Sequence, residues 1–312
     1  MIYSNFFEYN NFYKYNKGVE IMYKKAYELT TLCKEKNKKI HEIAIEKEIN
    51  LTGTTEKEIR NRFKEIIKIM EESSLKTLKK AIPSVSGLTG GTAKKLMEYI
   101  ENKNITVLCK ETLYSVARAF SCFEVNASMG KIVAAPTAGS CGILPACLLT
   151  IAKKIKSTEE KLINAVITAT AIGDIIEQNA TLSGAEGGCQ AECGSAAAMA
   201  SGALVYMLDG TVESCFHAAS MTLTNVMGQV CDPIAGLVEI PCAKRNAIGV
   251  VNAFLCADMA LAGIECVVPF DEVVEAMYNI GKSLPPELRE TGLGGLAGTQ
   301  TGAKIRKKIF GE

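Results

Sequence analysis

Residues 161–180 read KLINAVITATAIGDIIEQNA. Wound as an α-helix, this segment is apolar almost all round. Such a helix has no side that can face water, so other helices must wrap it. A capping box, STEE at 157–160, stands just before it. Beyond it the run AAAMASGALVYML at 196–208 is again helical and apolar. Abundant alanine and glycine let helices approach closely. These features predict an all-α fold: a compact helical domain whose loops carry the functional groups.

The remaining pattern agrees. Residues 22–48 are charged and helical, with Ala26, Leu29, Leu32 and Cys33 on one face. A capping box at 55–58 (TEKE) opens a helix through Phe63, Ile66, Ile67 and Met70. Further helices are expected over 111–126, 143–155, a segment carrying Cys215 and His217, 249–264 and 270–282. Residues 105–108 are the one β-like run. The tail from residue 284 holds too many Gly and Thr for a regular element. Residues 1–20 stand apart: seven are Tyr or Phe among asparagines, with no helical or strand period. They read as a disordered arm, as sequence ahead of a start at Met22, or as a docking segment. The expected organisation is an extension over 1–21 and one helical domain over 22–312.

Composition narrows the function. The formal net charge is +1, which gives no reason to expect nucleic acid or an anionic membrane as partner. The longest apolar run, 165–176, is broken by Asp174 and is too short to span a bilayer. No basic segment with an apolar h-region opens the chain. Twelve cysteines without a secretory signal point to a reducing cytoplasm and against a disulfide framework.

Three loops carry chemistry. The first, PSVSGLTGGT at 83–92, feeds a helix N-terminus and offers N–H groups to an anion such as a substrate carboxylate, or is a turn with an N-cap. In the second, APTAGSCG at 135–142, Thr137 and Ser140 are candidate substrate contacts and Cys141 a nucleophile or ligand. With His41 and His217 the only histidines, no obvious partner for Cys141 is in view. The third spans 183–246. There Cys189 follows Gly187 and Gly188, Cys231 precedes Asp232-Pro233, and Cys242 follows Pro241. Thiols on such bends can point into a cavity and hold a soft metal together, or pack as small hydrophobes. Lys244, Arg245 and Asn246 follow Cys242 as candidate carboxylate contacts or helix caps.

Taken together, SGLTGG at 86–91, APTAGSCG at 135–142, SGAEGGCQAECG at 183–194, CDPIAGLVEIPCAKRNA at 231–247 and ETGLGGLAGTQTG at 290–302 resemble the iron–sulfur-dependent L-serine dehydratases (L-serine ammonia-lyases), in particular the alpha subunit of their two-chain form. The resemblance covers roughly residue 22 to the end. It implies a [4Fe–4S] cluster on Cys189, Cys231 and Cys242, with gaps of 42 and 11 residues reproduced here. It also implies elimination of water from L-serine to pyruvate and ammonia without pyridoxal phosphate. It gives Cys141 a place near substrate but no ligand role, and Cys193 none beyond packing. Two departures from the family follow. No cysteine comes after Cys266 to reach the cluster, and the family's GPSSSHT-type loop is absent, which implies a beta-subunit partner. The catalytic base has no counterpart among these motifs. A cysteine desulfidase of the same domain family is the neighbouring alternative. A non-catalytic helical protein with structural zinc on Cys189, Cys193, Cys231 or Cys242 is the distant one.

Overall fold

The computed structural model describes residues 4–5 and 21–311. The expectation for the N-terminal arm falls on residues 1–21. Of these only Ser4, Asn5 and Ile21 are described, and the rest lie outside the described residues.

Thirteen helices make up the described chain, in the order α1 (Ala26–Lys36), α2 (Ile40–Thr52), α3 (Glu56–Leu75), α4 (Thr92–Asn102), α5 (Lys110–Ala127), α6 (Ile143–Lys154), α7 (Glu159–Asn179), the single turn α8 (Gly184–Gly187), α9 (Ser195–Met207), α10 (Val212–Thr224), α11 (Cys242–Leu261), α12 (Phe270–Ser283) and α13 (Gln300–Phe310). One two-residue parallel pairing, β1 (Ser4–Asn5) with β2 (Val133–Ala134), is the only sheet among the described residues. The fold is all-α, as the patterning predicts.

The core is centred on α9, every residue of which is buried. It packs against α7, α10, α11 and α6. Small residues make this possible: a Cβ on Gly202 would lie 2.3 Å from Ile172 Cδ1 on α7 and 3.0 Å from the Cys215 carbonyl on α10. The single charge in the apolar stretch of α7, Asp174, is met by Lys47 at 2.5 Å, and Lys47 is itself buried against Tyr23.

Local physics corrects several expectations. The helical stretch 22–48 is two helices, because Asn37 takes the left-handed conformation (φ 50°) and ends α1. The capping box at 55–58 forms: Glu58 N donates to Thr55 Oγ1, and Thr55 N to Glu58 Oε2 at 2.9 Å. That at 157–160 does not. Thr158, one residue later, caps α7 by accepting from Lys161 N at 3.2 Å. The β-like run 105–108 is an exposed connection between α4 and α5 and pairs with no strand among the described residues. The tail holds a regular element after all, since Thr299 accepts from Gly302 N and starts α13.

Candidate metal centre and cleft

Four segments converge on the site. The chain leaves α7, turns through α8 and reaches Gly188, whose φ of 76° and close approach to Gln229 O (2.7 Å from a hypothetical Cβ) demand glycine. Residues Gln190–Gly194 then form one π-helical turn that runs directly into α9. Such wide turns recur at functional sites because they re-aim side chains within a helix. Here the turn brings the ligand atoms of Cys189, Glu192 and Cys193 within 4.8 Å of one another.

Cys231 sits on an irregular segment pinned to the tail: its N–H donates to Leu288 O at 2.8 Å, and Glu290 N–H donates to its carbonyl at 2.7 Å. Cys242 lies on the first turn of α11, with Pro241 as N-cap, so the helix begins earlier than the apolar pattern from residue 249 indicates. A helix N-terminus favours a thiolate. Burial pushes the thiols of Cys231 and Cys242 up, and each is pushed further by Cys189 and Glu192 nearby. Cys193 is raised by its hydrogen bond to Cys189, then by burial. These buried groups cannot all ionise unaided. A thiophilic metal relieves that conflict by binding them as thiolates, so the donor set fits a sulfur-ligated metal group.

Beside the thiols opens a cleft of about 740 Å³, lined by Asn126, Thr137, Glu192, Val238 and Glu290 among others. Thr137 Oγ1 donates a short hydrogen bond to Glu192 Oε1 and lies 3.0 Å from Ser140 Oγ, which is wholly buried behind it. Burial pushes the Glu192 carboxyl up to about 7, against the lowering effect of the Thr137 hydrogen bond. Neither Glu192 nor Glu290 belongs to the expected site residues. An acidic residue in a glycine-rich stretch carries no period that marks it, and only the π-turn aims Glu192 inward.

The other expected contacts lie elsewhere. Arg245 donates to Val230 O at 2.8 Å and pairs with Asp232 at 2.7 Å, while Asp232 accepts from Leu296 N at 2.7 Å. Arg245 thus fastens the Cys231 segment to α11. Asn246, fully buried, donates to Gly139 O (2.7 Å) and Cys242 O (3.0 Å) and accepts from Gly142 N (3.0 Å). It joins loop 135–142 to the Cys242 turn. Lys244 is exposed, and none of these three lines the cleft. Cys141 is buried in a small apolar cluster with Cys122, Val125, Ile132 and Ala134, where burial pushes its thiol well up and leaves it a packing residue.

For the loop 83–92 the structure favours the turn over the anion site, the other of its two expected readings. Ser86 and Thr89 each donate to a Glu239 carboxylate oxygen at 2.5 Å, and Thr92 N and Ala93 N donate to Glu124 Oε1. The donors proposed for a substrate anion are already taken by the chain's own carboxylates.

Comparison with known proteins places this geometry. The family model described as serine dehydratase alpha chain matches residues 35–297. Over 291 residues the chain is 51% identical to the L-serine dehydratase, alpha chain, of Peptoniphilus asaccharolyticus, covering 93% of this chain and 99% of that one. It is 46% identical to the probable L-serine dehydratase, alpha chain, of Bacillus subtilis (strain 168), with 93% and 96% covered. Against an L-serine dehydratase of Helicobacter pylori (strain J99 / ATCC 700824) it is 32% identical, with 91% of this chain and 63% of that longer one covered. On these matches, the chain belongs to the serine dehydratase alpha-chain family.

Proposed function

We propose that this chain is the alpha chain of a two-chain L-serine ammonia-lyase, which eliminates water from L-serine and yields pyruvate and ammonia without pyridoxal phosphate. One observation carries the reading: Cys189, Cys231 and Cys242, far apart in sequence, lie close enough that Cys189 raises the thiols of the other two, beside a cleft lined by Thr137 and Glu192. Those three cysteines would hold a [4Fe–4S] cluster. When bound there, the cluster would supply Lewis acidity toward the departing hydroxyl through an iron without a protein thiolate.

The chain's own residues do the rest. Glu192, buried and held by Thr137, is placed to take the α-proton at Oε2, since a base works best when its pKa lies near the working pH. Thr137 fixes the orientation of that carboxyl, and Ser140 supports Thr137 from behind. Arg245 and Asn246 keep the thiol-bearing segments in register. Loss of the proton and of the hydroxyl leaves 2-aminoacrylate, which tautomerises and hydrolyses in water. The relatives' names as alpha chains support a companion beta chain. The extensive hydrophobic core shared by α1 to α7 and α9 to α12 supports residues 22–312 as one domain. Twelve unpaired cysteines suit a reducing cytoplasm.

The test is anaerobic co-purification with the companion chain, followed by iron and acid-labile sulfide analysis and a pyruvate assay. Iron, sulfide and pyruvate from L-serine are expected. Turnover of L-cysteine alone would make the protein a desulfidase. One colourless zinc per chain and no turnover would overturn the enzyme reading.

A further inference from the structure

The cleft beside the thiols is lined by four glutamates, Glu177, Glu186, Glu192 and Glu290, and its described lining holds no lysine, arginine or histidine. Two of these carboxylates face one small volume. A Cβ built on Gly184 would lie 3.1 Å from Cys231 Sγ, 3.3 Å from Glu290 Oε2 and 3.5 Å from Glu192 Oε2. The missing side chain at Gly184 therefore opens a space bounded by a thiol and two carboxylate oxygens.

Neither carboxylate has a counter-charge in contact. Glu192 is only 7% exposed; the Thr137 hydroxyl and the Gly139 backbone hydrogen-bond to it, and Arg245 attracts it while itself paired with Asp232. No described residue donates to or pairs with the Glu290 carboxylate, yet its backbone is firmly placed: φ is 65°, and its N–H is bound to the Cys231 carbonyl. Enclosed carboxylates without a cation are costly, and removing one charge of such a site changes binding strongly. A primary ammonium brings one positive charge and three donors, enough to engage both oxygens at once.

We propose that Glu290, facing Glu192 across Gly184, binds the α-ammonium of the amino-acid substrate and so makes this chain select amino acids over the matching hydroxy acids. The proposal rests on the lyase reading above and specifies how its cleft recognises substrate. The α-carbon, one bond from that nitrogen, then lies in the volume that Glu192 Oε2 faces. Glu290 is in this sense a specificity-determining residue.

The experiment uses the anaerobic two-chain enzyme. Glu290→Gln should raise KM for L-serine at least tenfold while kcat changes less than threefold, with iron and labile sulfide at wild-type levels. Glu290→Asp, which keeps the charge, should recover part of the lost affinity. In the wild-type enzyme, ethanolamine, which keeps the ammonium and hydroxyl, should compete with L-serine. An unchanged KM in an iron-replete Glu290→Gln enzyme overturns the ammonium subsite and leaves the lyase reading standing. So does absence of competition by ethanolamine at 100 times the KM, a measurement that needs no variant to fold. A wild-type enzyme that never turns over L-serine overturns the lyase reading itself.

Discussion

Gly202 and Gly184 both lack a side chain because a neighbour needs the space, and the neighbours differ in kind. At Gly202 the space is filled by Ile172 and the Cys215 backbone, as α9 presses into α7 and α10. At Gly184 it is left facing a thiol and two carboxylates. The helical core gains its stability from area removed from water, which is non-directional. The site end instead buries Glu124, Glu192, Asp232, Glu239 and Asn246, each held by particular hydroxyl, amide or guanidinium donors. A core of this kind absorbs apolar exchange of similar volume. The site end depends on individual partners.

The contrast can be broken most severely at a thiol. Cys231→Ser should abolish bound iron and lyase activity while far-ultraviolet circular dichroism stays that of the wild-type helical fold. Iron and turnover that survive would remove Cys231 from the ligand set.

Next in size is a pH effect on the metal-free chain. The Glu192 carboxyl is raised by burial from 4.5 to about 7 in the folded state. Its contribution to stability is therefore fully present below pH 4.5 and is lost as pH rises through 7. The loss amounts to as much as ~3 kcal/mol, at 1.36 kcal/mol per pKa unit. Metal-free Glu192→Gln should lack this decline when urea unfolding is followed between pH 5 and pH 8, and equal slopes in the two proteins would contradict it.

Overpacking the core tests the other side. Gly202→Ala should cost about 1–3 kcal/mol of stability through the contact with Ile172. Iron per folded protein should not change, which separates it from the cysteine variant. Thr137→Val removes the donor to Glu192, and a lost hydrogen bond of about 1.4 kcal/mol lowers kcat/KM roughly tenfold. Cluster content, read by absorbance, should stay constant. The smallest effect belongs to Lys244→Ala: an exposed side chain outside the cleft should alter KM by less than about twofold.

The core was legible because its signal is local and repetitive. The all-round apolar character of 161–180 and 196–208 survives any error in helix ends, and both segments are buried helices. Helix boundaries were less so. Asn37, Thr158 and Thr299 each decide an end through one backbone angle or one hydroxyl, and many asparagines and threonines would look the same in sequence. In the site, cysteines on bends stood out by their glycine and proline neighbours. Glu192 and Glu290 did not, because their role depends on a π-turn and a left-handed backbone that no residue pattern announces. Arg245 and Asn246 looked suited to an anion, yet folding gives their donors to Asp232, Val230, Gly139 and Cys242. The SGLTGG loop shows the same competition: an internal carboxylate, 153 residues away from Ser86 in sequence, claims its hydroxyls.

That internal claim has a consequence for ionic strength. The outer helices are laced by exposed pairs such as Lys34–Glu213, Lys64–Glu159 and Lys161–Asp209, all open to screening by dissolved ions. Glu239 and the Oε1 of Glu124 are instead held in place by hydroxyl and amide dipoles, which a counterion atmosphere barely reaches. Concentrated brine should therefore loosen the periphery of this protein well before it disturbs the loops that bear the thiols.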